Sequence, residues 1–236
     1  MPRARYASTV VLVRPDEKGD FEILLTRRPP EMRFLGGFYV FPGGTIHASD
    51  YSAKTLERCR GLSGDDARKI LGGRHDPELA IGHWIAGIRE LFEEVGILLC
   101  VTESGAEIDL RDAGTKVRFE AKRQTIVRED LEFADFLESE GLYCDLSRMT
   151  YFFHRVTPEL YPMRFDARFY LASLPAYQLP LARSEEVTDA VWMKPGEALS
   201  RAYRHDFPIL PPTTTVLDDL AKISAWDRLC ARFNVR

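Results

Sequence analysis

The sequence predicts a mixed α/β sandwich built as one domain. Three observations carry that expectation: short β-branched apolar runs separated by glycine and proline, a long helix-periodic segment, and a strand of strict alternation beyond it. Two runs open the chain, Thr9-Val10-Val11-Leu12-Val13 and Phe21-Glu22-Ile23-Leu24-Leu25. Pro15, Asp16 and Gly19 lie between them, a turn composition, so the pair reads as a β-hairpin. A third strand ends at Tyr39-Val40-Phe41 and runs straight into Pro42-Gly43-Gly44, which reads as a loop where glycine opens conformations barred to other residues. Residues 51–79 are helical in composition but broken at Gly61, Gly64, Gly72, Gly73 and Pro77, which suggests an inserted pair of short helices.

From Ala80 to Val95 the residues Ile81, Trp84, Ile85, Ile88, Leu91, Phe92 and Val95 recur at helical spacing, and Gly96 stops the helix. Residues 120–140 read as helical. Arg164 to Leu171 alternates, giving a strand whose polar face is Arg164, Asp166, Arg168 and Tyr170. Val187 to Met193 is a further strand, Pro195 to Leu199 begins a helix, and Thr213 to Phe233 is helical. Trp84, Trp192 and Trp226 are expected in or beside the core.

Charge and cysteine content narrow the function. The balance of 32 basic against 36 acidic residues gives a net charge of -4, which argues against a broad electrostatic footprint for a nucleic acid polymer. Four cysteines without a C-x-x-C pair indicate neither a zinc knuckle nor a disulfide scaffold, and reduced thiols fit a cytoplasmic location. The first apolar run is too short for a signal peptide, no stretch is long enough to span a bilayer, and the chain does not end in Ser-Lys-Leu.

The chemistry concentrates in Arg89-Glu90-Leu91-Phe92-Glu93-Glu94-Val95-Gly96. Glu90, Glu93 and Glu94 stand at i, i+3 and i+4 and share one helical face, while Arg89 can pair with Glu93 one turn on. Taken alone, such a face is more often merely solvated. Crowded carboxylates, however, suit a hard divalent cation that keeps waters and accepts phosphate oxygens as further ligands.

Together with Gly44 and Asp50, five residues apart, this segment resembles the Nudix box, in which a glycine, five residues and an acid precede an Arg-Glu-x-x-Glu-Glu-x-Gly helix. Asp50 stands where glutamate is usual, and 38 residues separate it from Arg89 where the box has seven. A branch of Nudix hydrolases that includes coenzyme A diphosphatases carries a long insert at that point. Similarity to that branch extends to Leu24–Pro29, Phe34–Gly44, Arg164–Phe169 and Leu210–Thr214.

The resemblance implies a Nudix-type mixed-sheet α/β/α sandwich over residues 1–236, with 51–79 a helical insertion inside the box. It implies Mg2+ or Mn2+ held by Glu90, Glu93, Glu94 and the Gly44 carbonyl. Glu90 is then a candidate general base, Arg89 orients the glutamates, and Glu185 or Glu186 is a candidate outer acid. Arg27, Arg28, Arg33, Arg164 and Arg168 are the candidate substrate cations, although Arg164, Asp166 and Arg168 also suit a structural ion-pair ladder. His83, near the helix's carboxylates, is more often a packing residue than a ligand. The expected substrate is a small nucleoside diphosphate derivative, coenzyme A or acyl-coenzyme A first and ADP-ribose or a dinucleotide second. A catalytically silent Nudix fold serving as a ligand sensor is the non-enzymatic alternative. Relatives of this kind often dimerise, so a homodimer stays open.

Overall fold

The computed structural model describes residues 3–235 apart from Arg33 and Ser224. Strand β1 (Arg5–Pro15) is the spine of the molecule. Its Val10, Val11, Leu12 and Val13 are fully inaccessible, as expected of a central strand covered on both faces. It pairs antiparallel with β2 (Phe21–Arg27) through Val13↔Ile23 and Pro15↔Phe21, the hairpin read from the sequence. β3 (Tyr39–Val40) pairs with β2, and β4 (Gly43–Thr45) pairs with β1 through Ala7↔Thr45 and Thr9↔Gly43. The expected glycine loop is therefore a short strand. Glycine is needed for close approach there, because a Cβ at Gly43 would overlap the Ser8 carbonyl.

A 3-10 turn at Ala48–Tyr51 leads into α1 (Ala53–Leu56), β5 (Cys59–Arg60), α2 (Gly64–Ile70) and α3 (Pro77–Val95). The stretch 51–79 thus holds a two-residue strand besides its two short helices, and the long helix begins three residues before Ala80. Proline is tolerated in a first helical turn, where its missing N–H would have no partner. Gly96 closes α3 with φ 71°. Beyond β6 (Cys100–Thr102), the helix expected over 120–140 is two, α4 (Ala113–Val127) and α5 (Phe133–Ser139), parted where Glu129 turns to φ 60°. Then follow β7 (Leu142–Asp145), β8 (Thr150–Val156), β9 (Phe165–Ser173), β10 (Asp189–Met193) and α6 (Pro195–Tyr203). The helical C-terminus is α7 (Pro211–Ala221) and α8 (Trp226–Phe233).

The main sheet runs β10-β2-β1-β9-β8, with β1 and β9 parallel, and β5-β7-β6 form a small second sheet. One face of the main sheet, with Val10, Leu12, Leu24 and Tyr170, packs on Trp84, Ile85 and Ile88 of α3. The other, with Val11, Ile23, Leu25 and Leu171, packs on Val216, Leu217 and Leu229 of α7 and α8. The result is the α/β/α sandwich expected. The alternation in β9 has a different meaning from the one read in sequence: Arg168 and Tyr170 are 5% and 0% exposed and lie beneath α3. Tyr170 packs against Trp84, ring centroids 4.8 Å apart.

Candidate active site

The Glu-rich turns of α3 lie against β4. The Glu90 carboxylate occupies the space that a side chain at position 44 would fill, so any larger residue there would displace it. Glu94, 4% exposed, faces the Gly43 N–H at 3.5 Å. Arg89 joins the two halves of the motif across the insertion. Its Nε and Nη2 donate to the Asp50 carboxylate at 2.8 and 3.1 Å, and Nη2 also donates to the Thr45 carbonyl at 2.9 Å. Its Nη1 donates to Glu90 at 2.9 Å and Glu93 at 3.1 Å. Asp50, 1% exposed, receives the Arg89 fork and the His47 N–H, so the shorter acid still meets the arginine.

Burial, opposed by Arg89, raises the pKa of Glu90 and pushes Glu93 up to about 7. Glu94 is driven well above the ordinary carboxylate range by burial and then by the Glu90 charge. Arg28 opposes that rise, while Glu186, close enough to act on both Glu90 and Glu94, adds to it. Arg28 Nη2 lies 4.0 Å from Glu186, and its buried Nε has no hydrogen-bond partner. The neighbouring Glu185 turns away to Arg123 at 3.1 Å.

Among the described residues, no three His, Cys, Asp or Glu side chains converge closely enough to hold an ion unaided. The donor set still fits a hard cation: a surplus of buried carboxylate oxygen beside a glycine strand that admits close approach. Glu90, Glu93, Glu94 and Gly44 are thus brought together, with Arg89 behind them.

The expected substrate arginines do not form one group. Arg28 faces the carboxylates, whereas Arg27 donates to the Gly37 carbonyl at 3.1 Å and lies over the Tyr39 ring at 5.7 Å. Arg164 donates to the Thr157 carbonyl at 3.1 Å. Arg168 is buried between Asp166 and the His75 ring, 3.0 Å from His75 Nε2, so it serves the ladder rather than open space. Arg33 lies outside the described residues. His83 is inaccessible, 3.5 Å from the Ser8 hydroxyl, and burial pushes its pKa down to about 2, in keeping with a packing residue.

Sequence reasoning missed Arg123. It is 2% exposed and donates to the Glu93 carbonyl at 2.5 Å, to Glu120 and to Glu185, tying the end of α3 to α4 and to the segment before β10. Nothing in the weakly periodic sequence of α4 marks this arginine from its charged neighbours.

The fold that carries this arrangement has a counterpart among solved structures. The crystal structure of a NUDIX hydrolase from Alicyclobacillus acidocaldarius superposes with TM-score 0.79, is 28% identical, and covers 98% of this chain and 97% of its own. The family model described as the NUDT19 Nudix domain matches residues 4–220, and the chain belongs to that family. Putative nudix hydrolase 7 of Caenorhabditis elegans is 26% identical over 236 residues, 97% of this chain and 64% of its own length. The acyl-coenzyme A diphosphatase NUDT19 of Xenopus laevis is 27% identical over 223 residues, 82% of this chain and 58% of its own. The chain therefore spans about three fifths of the length of these curated relatives.

Proposed function

We propose that this chain is a pyrophosphohydrolase that cleaves the diphosphate of coenzyme A or an acyl-coenzyme A with Mg2+ or Mn2+. The observation that carries the chemistry is the burial of Glu90 and Glu94 against Gly43–Gly44, short of counter-charge. The choice of substrate class follows the relatives named acyl-coenzyme A diphosphatases. A bound divalent ion would supply charge neutralisation at the diphosphate and a more acidic water.

The chain's own residues have separable parts. Glu90, Glu93, Glu94 and the Gly44 carbonyl are the assigned ligands, with Glu186 the added acid. Arg89 holds Glu90 and Glu93 in one orientation while anchored to Asp50. Glu90 is the carboxylate assigned to accept the attacking water's proton, since a raised pKa makes it a better base near neutrality. Arg28, whose Nε lacks a partner, is placed to donate to a phosphate oxygen.

The test is product analysis with coenzyme A, an acyl-coenzyme A, ADP-ribose and a dinucleotide, each with Mg2+, Mn2+ or excess chelator. The expected result is metal-dependent formation of adenosine 3',5'-bisphosphate and the corresponding phosphopantetheine. Cleavage of ADP-ribose or a dinucleotide alone would move the substrate to that class. Full activity in chelator, or none on any diphosphate, would remove the reading.

A further inference from the structure

At the start of β1 a cavity of about 510 Å3 opens between the strand, β4 and the N-terminal turns of α3, with Arg3, Arg5, Tyr6, Thr45, Ile46 and Tyr51 in its wall. None of these residues belongs to the carboxylate cluster. Arg3 and Arg5 are exposed, and among the described residues neither makes an ion pair. Two unpaired guanidiniums beside two phenol rings make a wall suited to a ligand that is anionic and aromatic at once.

The rings are fixed before any ligand arrives. Tyr6 meets His75 edge-on with centroids 5.0 Å apart, lies 5.7 Å from His83, and has the Arg168 guanidinium 5.8 Å from its centroid. The buried cluster beneath α3 thus serves as the support of this wall. Tyr51 rests on α3 at Gly82, where an added Cβ would come within 3.1 Å of it. Groups held in place lose little freedom when a ligand binds.

The cavity lies along β4 from the proposed reaction site. Gly43 faces Glu94, Gly44 faces Glu90, and the next residues, Thr45 and Ile46, line the cavity. At roughly 3.3 Å per residue along a strand, two residues carry the wall about 7 Å beyond Gly44. That is the scale separating two phosphates on one ribose.

Resting on the hydrolase reading above, we propose that this cavity holds the nucleoside 3'-phosphate end of the substrate. Arg3 and Arg5 bind the 3'-phosphate, and the purine packs against Tyr6 and Tyr51. The preference for a 3'-phosphorylated nucleotide then resides here rather than on Arg164 or Arg168.

The test is calorimetric titration of the full chain and of an Arg3→Ala, Arg5→Ala double variant with adenosine 3',5'-bisphosphate and with adenosine 5'-monophosphate. Both arginines are exposed, so an unchanged melting temperature is expected and checks the fold. The proposal requires the bisphosphate to bind wild type and to bind the variant about tenfold or more weakly, with little change for the monophosphate. No binding to wild type, or equal affinity in the variant, overturns it. A parallel assay separates the two readings. If coenzyme A is cleaved and its preference over dephospho-coenzyme A is the same in the variant, the hydrolase stands and this cavity falls. If bisphosphate binding tracks the arginines but no coenzyme A is cleaved, the cavity stands and the hydrolase reading falls.

Discussion

The two ends of α3 each carry a buried polar cluster, and the clusters balance charge differently. Toward the N-terminus, Arg168 is paired with Asp166, Asp166 also meets His154 at 2.6 Å, and burial holds His83 and His75 below the ordinary histidine range, hence neutral near pH 7. Positive and negative charge there are matched. Toward the C-terminus, Arg89 and Arg28 face Asp50, Glu90, Glu93, Glu94 and Glu186. A fold selected only for stability has no use for that excess, since like charges in a desolvated place oppose folding. The contrast within one helix separates a support from a candidate site: the matched cluster props Tyr6, and the unmatched one is the cation site proposed above.

The largest expected effect falls on the residue that keeps the unmatched cluster together. Arg89→Leu leaves Asp50, 1% exposed, as an unpaired buried charge and should cost about 3–5 kcal/mol, read from denaturant unfolding in chelator. Arg168→Leu should cost less, because the Asp166 side chain retains 20% exposure and the His154 contact. Equal losses in the two variants would erase the distinction between the ends.

Next in size is Glu94→Gln. It keeps the side chain's shape and removes a carboxylate held far above its ordinary pKa, so turnover should drop by at least about a hundredfold. Metal-free stability should rise at the same time. Melting temperatures in chelator, set beside steady-state rates with Mg2+, test both halves. A variant that loses stability together with activity would show a structural cluster instead.

Sequence alone made one side of this comparison legible and gave only fragments of the other. Glu90, Glu93 and Glu94 are local: their spacing sets their shared face, and Gly44 with Asp50 follows from the motif despite the insertion. The matched cluster depends on β1 and β9 lying parallel, which sets Ser8 beside Arg168 at a separation that no local pattern records. For the same reason the alternation in β9 left a substrate-facing role and an ion-pair ladder both open, since periodicity tells which residues share a face but not what covers it. Arg123 was indistinct, and Glu186 was not told apart from Glu185, because their roles come from contacts between distant segments. The division of the C-terminal helical region into α7 and α8 likewise follows packing against the sheet.

Acid titration should pull the two ends apart. His83 has its folded pKa lowered to about 2 from an ordinary 6.5, so below pH 6.5 the unfolded chain takes up the proton first. Its contribution to stability is complete above pH 6.5 and declines as pH falls toward 2; by pH 5 the loss from this group is about 2 kcal/mol. The carboxylate end has the opposite sign. Glu93, raised to about 7, and Glu94, raised well above its ordinary value, bind protons in the folded state before the unfolded state does. In chelator, stability from these groups increases as pH falls from about 7 toward 4.5. Over the shared interval from 6.5 to 4.5 the two trends oppose each other, with Glu90, Glu93 and Glu94 set against His83 and His75. His83→Gln removes one trend, so its metal-free stability should rise on acidification from pH 7 to 5. Glu94→Gln weakens the other, so its stability over the same range should lie below the wild-type trend while that of His83→Gln lies above it. Denaturant midpoints of the three proteins at pH 7 and 5 make the test, and parallel slopes in all three would mean that the two clusters are not electrostatically distinct.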